Sequence, residues 1–326
     1  MSGLKIVTMI CWIITALVLA GLVIWFVTGS LFGGWFGNWG NNMPFGINIG
    51  GFENLTGPFT TQGNETISTS GLNTIRVNWV AGDVTIIPHD GNDVKIEEFA
   101  QRELRDNEQM RVTIDGASLS IDFRGKGTFR GNMPRKNLEV LVPRTLSENL
   151  TNLTVNSTSG NIKVDDFKAD TVKIISVSAG IRVSGINANN VELNTTSGAI
   201  TASAIRAGKL GTSSVSGAVN LSDTVATAVD CSTTSGATYL SGEFEKVDVS
   251  SVSGSTVIKS ATVPGGVNVS SVSGAIDLHI PDTGTITVSH SAVSGRFSSE
   301  VPVTMQNGGT YSFSSVSGNT NIHLFN

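Results

Sequence analysis

The sequence predicts an all-β fold, a β-helix-like repeat solenoid of coils about 19 residues long, preceded by one N-terminal transmembrane helix. Three observations predict it. A Val-Ser-Gly-like tripeptide recurs with its glycine at Gly160, Gly180, Gly198, Gly217, Gly236, Gly254, Gly274, Gly295 and Gly318, a spacing of 20, 18, 19, 19, 18, 20, 21 and 23 residues. A near-fixed period in this range marks stacked repeats. Apolar residues hold fixed offsets from that glycine: Leu153, Val191, Leu210, Val229, Val247, Val267, Val288 and Tyr311 seven before it, and Val155, Ile175, Leu193, Cys231, Val249, Val269 and Phe313 five before it. Thirdly, an uncharged run of 22 residues extends from Ile6 to Val27.

Residues 1–28 form the expected anchor. As a helix, Ile6–Val27 would measure about 33 Å, enough to cross a bilayer. A cleaved signal peptide is the rival, but its apolar core is about 7–15 residues, and no A-x-A-like site follows Val27. Cys11 fits a lipoprotein signal poorly, because Ile10 precedes it where a small residue belongs. Lys5 is the nearest basic residue and no charge follows until Glu53. The positive-inside bias therefore expects a single-pass protein with a cytoplasmic N-terminus and the remainder outside.

Residues 29–70, rich in Gly, Asn, Phe and Trp, read as a linker whose Trp35, Phe36 and Trp39 suit the headgroup zone. Residues 71–150 read as irregular β coils acting as a cap. VAGDVTI repeats the coil logic around Gly82, and this part holds 11 Lys plus Arg and 12 Asp plus Glu. EEFAQRELRDNEQM suits a short helix or a polar loop. Residues 151–326 form the regular solenoid. Two residues apart means one face of a strand, and a second apolar pair follows each glycine, as in Ile200 and Ala202 or Ile276 and Leu278. A unit this small cannot bury its own apolar face, so neighbours share one core. A β-sandwich would also show short strands and Gly turns, without needing one offset pattern nine times.

Net charge is −5 over 326 residues and only 14% are charged, which argues against a nucleic-acid binder with a basic face. Cys11 and Cys231 give no disulfide framework, and Cys231 occupies an apolar column as a small hydrophobe. Lys259, His279, Glu300 and His323 share one outward offset and read as a solvated charge ladder rather than a metal or acid–base site, which would need convergence. The 12 acids of residues 151–326 are scattered, Asp165 and Asp166 forming the only adjacent pair. HExxH, P-loop and nucleophile-elbow patterns are absent, and no catalytic, metal or cofactor residue is expected. Arg124, Lys126, Arg130, Arg135 and Lys136 lie in one loop without an acid, able to meet phosphates or to stay solvated. The final coil, TYSFSSVSGNTNIHLFN, has no blunting device on its strand edge. The expectation is that it pairs with a second copy or a partner through Phe313 and Phe325, unless its polar residues keep it monomeric.

The anchor, the aromatic spacer, the VAGDVTI coil, the NLEVLVP strand and the serial TSGNI, TSGAI, VSGAV and VSGAI coils resemble the bacterial β-strand-repeat family called "putative adhesin" or Toastrack, over roughly residues 70–326. The resemblance implies a membrane-tethered extracytoplasmic β-repeat domain of the kind associated with envelope-stress modules. It brings no catalytic or ligand residue to carry over. The functional expectation is a non-enzymatic scaffold for interaction or stress sensing at the cell envelope, with a protein partner or itself. Adhesion to host or wall glycan is the alternative binding role, and a polysaccharide lyase or hydrolase the enzyme alternative.

Overall fold

The computed structural model describes residues 47–52, 57–124 and 129–325, with the backbone alone for 47–52 and 129–132. The expected membrane anchor, Cys11, the Trp35–Trp39 cluster and Lys126 lie outside the described residues. In chain order come β1 (Ile47–Phe52), β2 (Thr60–Ser68), β3 (Thr74–Ala81), β4 (Val84–His89), β5 (Asp93–Ala100), β6 (Arg111–Asp115), β7 (Ser118–Asp122), β8 (Phe129–Met133) and β9 (Lys136–Pro143). A single helical turn, Arg144–Ser147, leads into β10 (Leu150–Ser159), β11 (Ile162–Ser176), β12 (Ile181–Thr195), β13 (Ile200–Ser214), β14 (Val219–Thr233) and β15 (Thr238–Ser253). The C-terminal coils are β16 (Thr256–Ser260), β17 (Gly266–Ser273), β18 (Ile276–Ile280), β19 (Ile286–Ser294), β20 (Phe297–Ser299), β21 (Val303–Met305), β22 (Tyr311–Ser317) and β23 (Thr320–Leu324).

Apart from β1 and β8, which pair with each other in a separate two-stranded sheet, these strands build a solenoid of about nine turns, rising about 4.8 Å per coil. A strand such as β13 bends round three faces within 15 residues. Inward and outward side chains alternate along it, and stacking in parallel register turns each offset into a column. One inward column runs Ile75, Leu153, Val172, Val191, Leu210, Val229, Val247, Val267, Tyr311, Val288, and every member is buried. The column two residues on holds Val155, Ile174, Leu193, Thr212, Cys231, Val249, Val269 and Phe313, with His290 at its end. Phe313 is therefore core, 1% exposed, and is not the contact residue expected from the sequence.

The glycine column has a packing cause. A Cβ on Gly198, Gly217, Gly236, Gly254, Gly274 or Gly318 would stand 1.7–2.4 Å from the carbonyl oxygen of the corner residue in the adjoining coil. Only some of these corners need positive φ, Gly160 at 108° and Gly254 at 135° among them. The residue three before the corner is buried and hydroxylic in eight successive coils: Ser157, Ser176, Thr195, Ser214, Thr233, Ser251, Ser271 and Ser315. In three of these coils its oxygen accepts the corner N–H: Ala179 to Ser176 at 2.8 Å, Gly198 to Thr195 at 3.1 Å and Gly217 to Ser214 at 2.8 Å. That bond satisfies a donor the bend removes from the strand ladder.

Register corrects one corner. Ile162, Ile181 and Ile200 stack, so Ala179 rather than Gly180 holds the corner, and Ile174 rather than Ile175 faces the core. The spacing from Gly160 to Gly236 then becomes 19 residues throughout. A second corner, invisible in the glycine count, lies six residues further on: Asp166, Gly185, Ala204, Asp223 and Gly242 all have positive φ. Non-glycine residues tolerate this at some cost.

Both ends of the solenoid depart from sequence order. The coil β3–β4 lies between β10–β11 and the later β7 and β9. Antiparallel strands cover that end: β6 on β7, β5 on β9, and β2 on β5. Residues 60–68, expected as linker, are thus a sheet strand, placed by the open edge of β5. At the other end β22–β23 inserts between β17–β18 and β19–β20. The final coil is therefore flanked on both sides, and the outermost edge belongs to residues 286–299. Its Asn321 and Ser298 side chains bond at 2.7 Å across that inner junction.

Candidate functional site

Three places gather polar chemistry. The first closes the N-terminal end. Lys136, the first residue of β9, is fully buried, its Nζ 2.6 Å from Glu98 Oε1 and donating to the carbonyls of Glu108 and Phe123. The ammonium lies 4.0 Å from the Phe123 ring centroid and 5.2 Å from that of Trp79, whose Nε1 donates to the Lys136 carbonyl at 2.6 Å. Burial pushes the Lys136 pKa down to about 8 against the pull of Glu98. Glu108 is held below the usual carboxylate range first by its hydrogen bonds from Arg102 at 2.7 and 2.9 Å. Lys136 Nζ is held by Glu98 and two carbonyls and no solvent reaches it, so the residue is structural, neither the solvated loop cation nor the phosphate contact that the sequence offered. Of the other cations in that stretch, Arg124 is half-buried with its pKa lowered by burial, and Arg135 is exposed. Arg130 contributes its backbone to β8, and its side chain, like Lys126, is outside the described residues.

The second place is the outward patch on the C-terminal coils. Its order is Lys259, His279, His323, Glu300, because the last coil is inserted. The rings of His279 and His323 stack at 4.7 Å and 24°, and His323 Nδ1 lies 3.3 Å from Glu300 Oε1. Asp277 Oδ1 is 3.8 Å from His323 Nε2. Burial lowers the His279 pKa, with His323 and Lys259 adding to it. Stacked rings point their nitrogen lone pairs alongside rather than toward one another, and among the described residues no group of three or more His, Cys, Asp or Glu could hold a metal ion. Asp165 and Asp166 likewise diverge: Asp165 accepts from Ser184 at 2.7 Å and pairs with Lys163 at 2.9 Å, whereas Asp166 forms the second corner.

The third is the face ahead of the glycine corner. Its outward columns repeat one short side chain: Ser213, Ser232, Ser250, Ser270, Ser314 and Ser291 stack directly. Beside them, two before each corner, stand Val215, Thr234, Val252, Val272, Val316 and Val293. VSSVSG contains this face in its alternation, since every second residue must point out, but single repeats give no sign of how flat and uncharged the stacked surface is.

Fold and surface together define a β-solenoid repeat protein with ladder-like faces. The Toastrack DUF4097 family model matches residues 72–324, and the chain belongs to that family. No curated protein matches it. Among solved structures, a "putative lipid binding protein" from Parabacteroides distasonis shares the fold at TM-score 0.51 and 12% identity, over 79% of this chain and 96% of that one. A "putative adhesin" from Parabacteroides merdae is similar at TM-score 0.48 and 15% identity, over 79% and 95%. Another from P. distasonis gives 0.45 and 14%, over 81% and 97%.

Proposed function

We propose that the chain is a membrane-tethered, extracytoplasmic, non-enzymatic interaction scaffold at the bacterial cell envelope, serving envelope-stress sensing. The observation that carries it is the face of stacked Ser and Val columns, which spreads contact over six coils instead of converging groups on one point. Such a surface suits an extended partner, recognised by many weak identical contacts. The uncharged run Ile6–Val27 supports the tether and the Lys5 bias its orientation.

Capture of partners by the full-length chain from envelope extracts tests this reading. Recovery of envelope proteins, reduced when Ser232, Ser250 and Ser270 are replaced together by lysine, is the expected result. Recovery of carbohydrate alone would favour adhesion to glycan, and binding to protein-free vesicles a lipid surface. Turnover of a glycan panel that disappears on replacing Asp165, Asp166, His279 or Glu300 would establish an enzyme instead.

A further inference from the structure

We infer that the outermost coil, residues 286–299, is an interaction surface that pairs antiparallel with the same edge of a second copy of this chain. The two ends of the solenoid are finished differently. At the N-terminal end, β6, β5 and β2 cover the last parallel strands. At the C-terminal end, β19 pairs with β22 on one side and β20 with β23, and among the described residues only the run-up Ile286–Val288 has a further neighbour, β21. Residues 289–294 thus present a row of unpaired backbone groups. Native edges of this length are normally blunted by lysine, proline or an inward charge. ITVSHSAVSGRFSS has no proline and a single charge, Arg296.

The core layer behind this edge is also unfinished. His290 stands at the end of the column that Phe313 continues, its ring 5.1 Å from Phe297, and its Nε2 is buried without a partner. Met305, paired with the inward Val288, is 54% exposed in the same layer. A second coil laid across would pair the strand and cover that layer in one step.

The charge pattern selects the occupant. A two-fold contact sets each residue against the same strand running the other way, so a charged edge would repel itself. This strand carries no fixed charge from Ile286 to Gly295, and a register centred on Ser291 brings Arg296 opposite Ile286. The edge is therefore compatible with its own copy.

The test uses the full-length chain in its membrane, with Cys11 replaced by serine, the buried Cys231 kept, and one added cysteine at Ser289, Ser291 or Val293, all outward on β19. Under mild oxidation a disulfide-linked dimer is expected from at least one of these and from no cysteine at Thr113 on β6, at the opposite end. Adding Ser289→Lys and Val293→Lys together to the Ser291 cysteine should lower the dimer yield roughly fivefold or more, because that register sets residue 289 of one copy against residue 293 of the other and so opposes like charges across the pair. Val293 is exposed, so retained far-UV circular dichroism of the lysine variant separates lost pairing from lost folding. Absence of dimer at all three sites, equal yield at Thr113, or a yield indifferent to both substitutions would overturn the inference.

Discussion

Gly217 and Gly180 look equivalent in the repeat, but their surroundings set them apart. A Cβ at Gly217 would meet the Gly198 carbonyl at 1.8 Å, whereas at Gly180 the nearest atom is the Asn161 side-chain oxygen at 3.1 Å. Gly217→Ala should cost about 1–3 kcal/mol through forced displacement of the adjoining backbone, and Gly180→Ala well under half of that. Urea midpoints at unchanged slope would measure both. Ala204 is the opposite case, an exposed residue at φ 52° with a Cβ that the left-handed region penalises. Ala204→Gly should raise stability by about 1 kcal/mol. Lys136 is legible from sequence only as one of a basic group, because nothing local reveals that Glu98 waits 38 positions earlier. Breaking the pair with Lys136→Met leaves a buried carboxylate and should cost about 3–5 kcal/mol, while Lys136→Met with Glu98→Leu should restore most of it. Equal loss in both variants would show that packing of the lysine stem, not the unpaired charge, dominates.

Columns are the functional unit at the scale of elements, since each coil supplies one member and its neighbours set the environment. Cys231, between Thr212 and Val249, is fully buried with its thiol pushed up to about 11 by burial, as a small core hydrophobe should be. It should resist alkylation until global unfolding, which mass spectrometry along a urea series would read. The C-terminal coils hold three of the four histidines, and for His279 and His290 burial lowers the folded pKa below the unfolded value. A lowered histidine pKa contributes stability that is present above the unfolded value, near 6.5, and is lost as pH falls through the folded one. Glu300, lowered chiefly by the Leu324 N–H and His323, acts in the same sense at lower pH. Hydrogen exchange corrected for intrinsic rates should therefore show residues 276–325 losing protection between pH 7.5 and 5 while β12–β14, without histidine, keep theirs. His290→Phe should remove part of that difference. An unchanged profile would mean that the imidazolium finds solvent without opening the coil.

For the whole molecule, the out-and-back path at each end leaves the outer coils as excursions between sequence-adjacent inner ones. Deleting residues 311–325 would strip the outer coil of β22 and β23, the strands that join it to the stack, so the C-terminal end should unfold from residue 286 onward and become the first site of proteolysis. For the proposed topology, protease added to intact cells should remove the part beyond about residue 57, and its protection would reverse the orientation. By itself the sequence determined the repeat, the strand alternation, the core columns and the buried place of Cys231, because each follows from a period and an offset that near neighbours in the chain express. Tertiary structure alone decided that Ala179 takes a corner, that Lys136 is buried, that 60–68 joins a sheet, and that the last coil in the chain is not the last in the stack. Those outcomes depend on which strand finds which edge. Parallel register between coils is nearly degenerate when their offsets are alike, so the choice falls to the few residues that differ, among them His290, Phe297 and the run 281–285 that carries the chain past one coil.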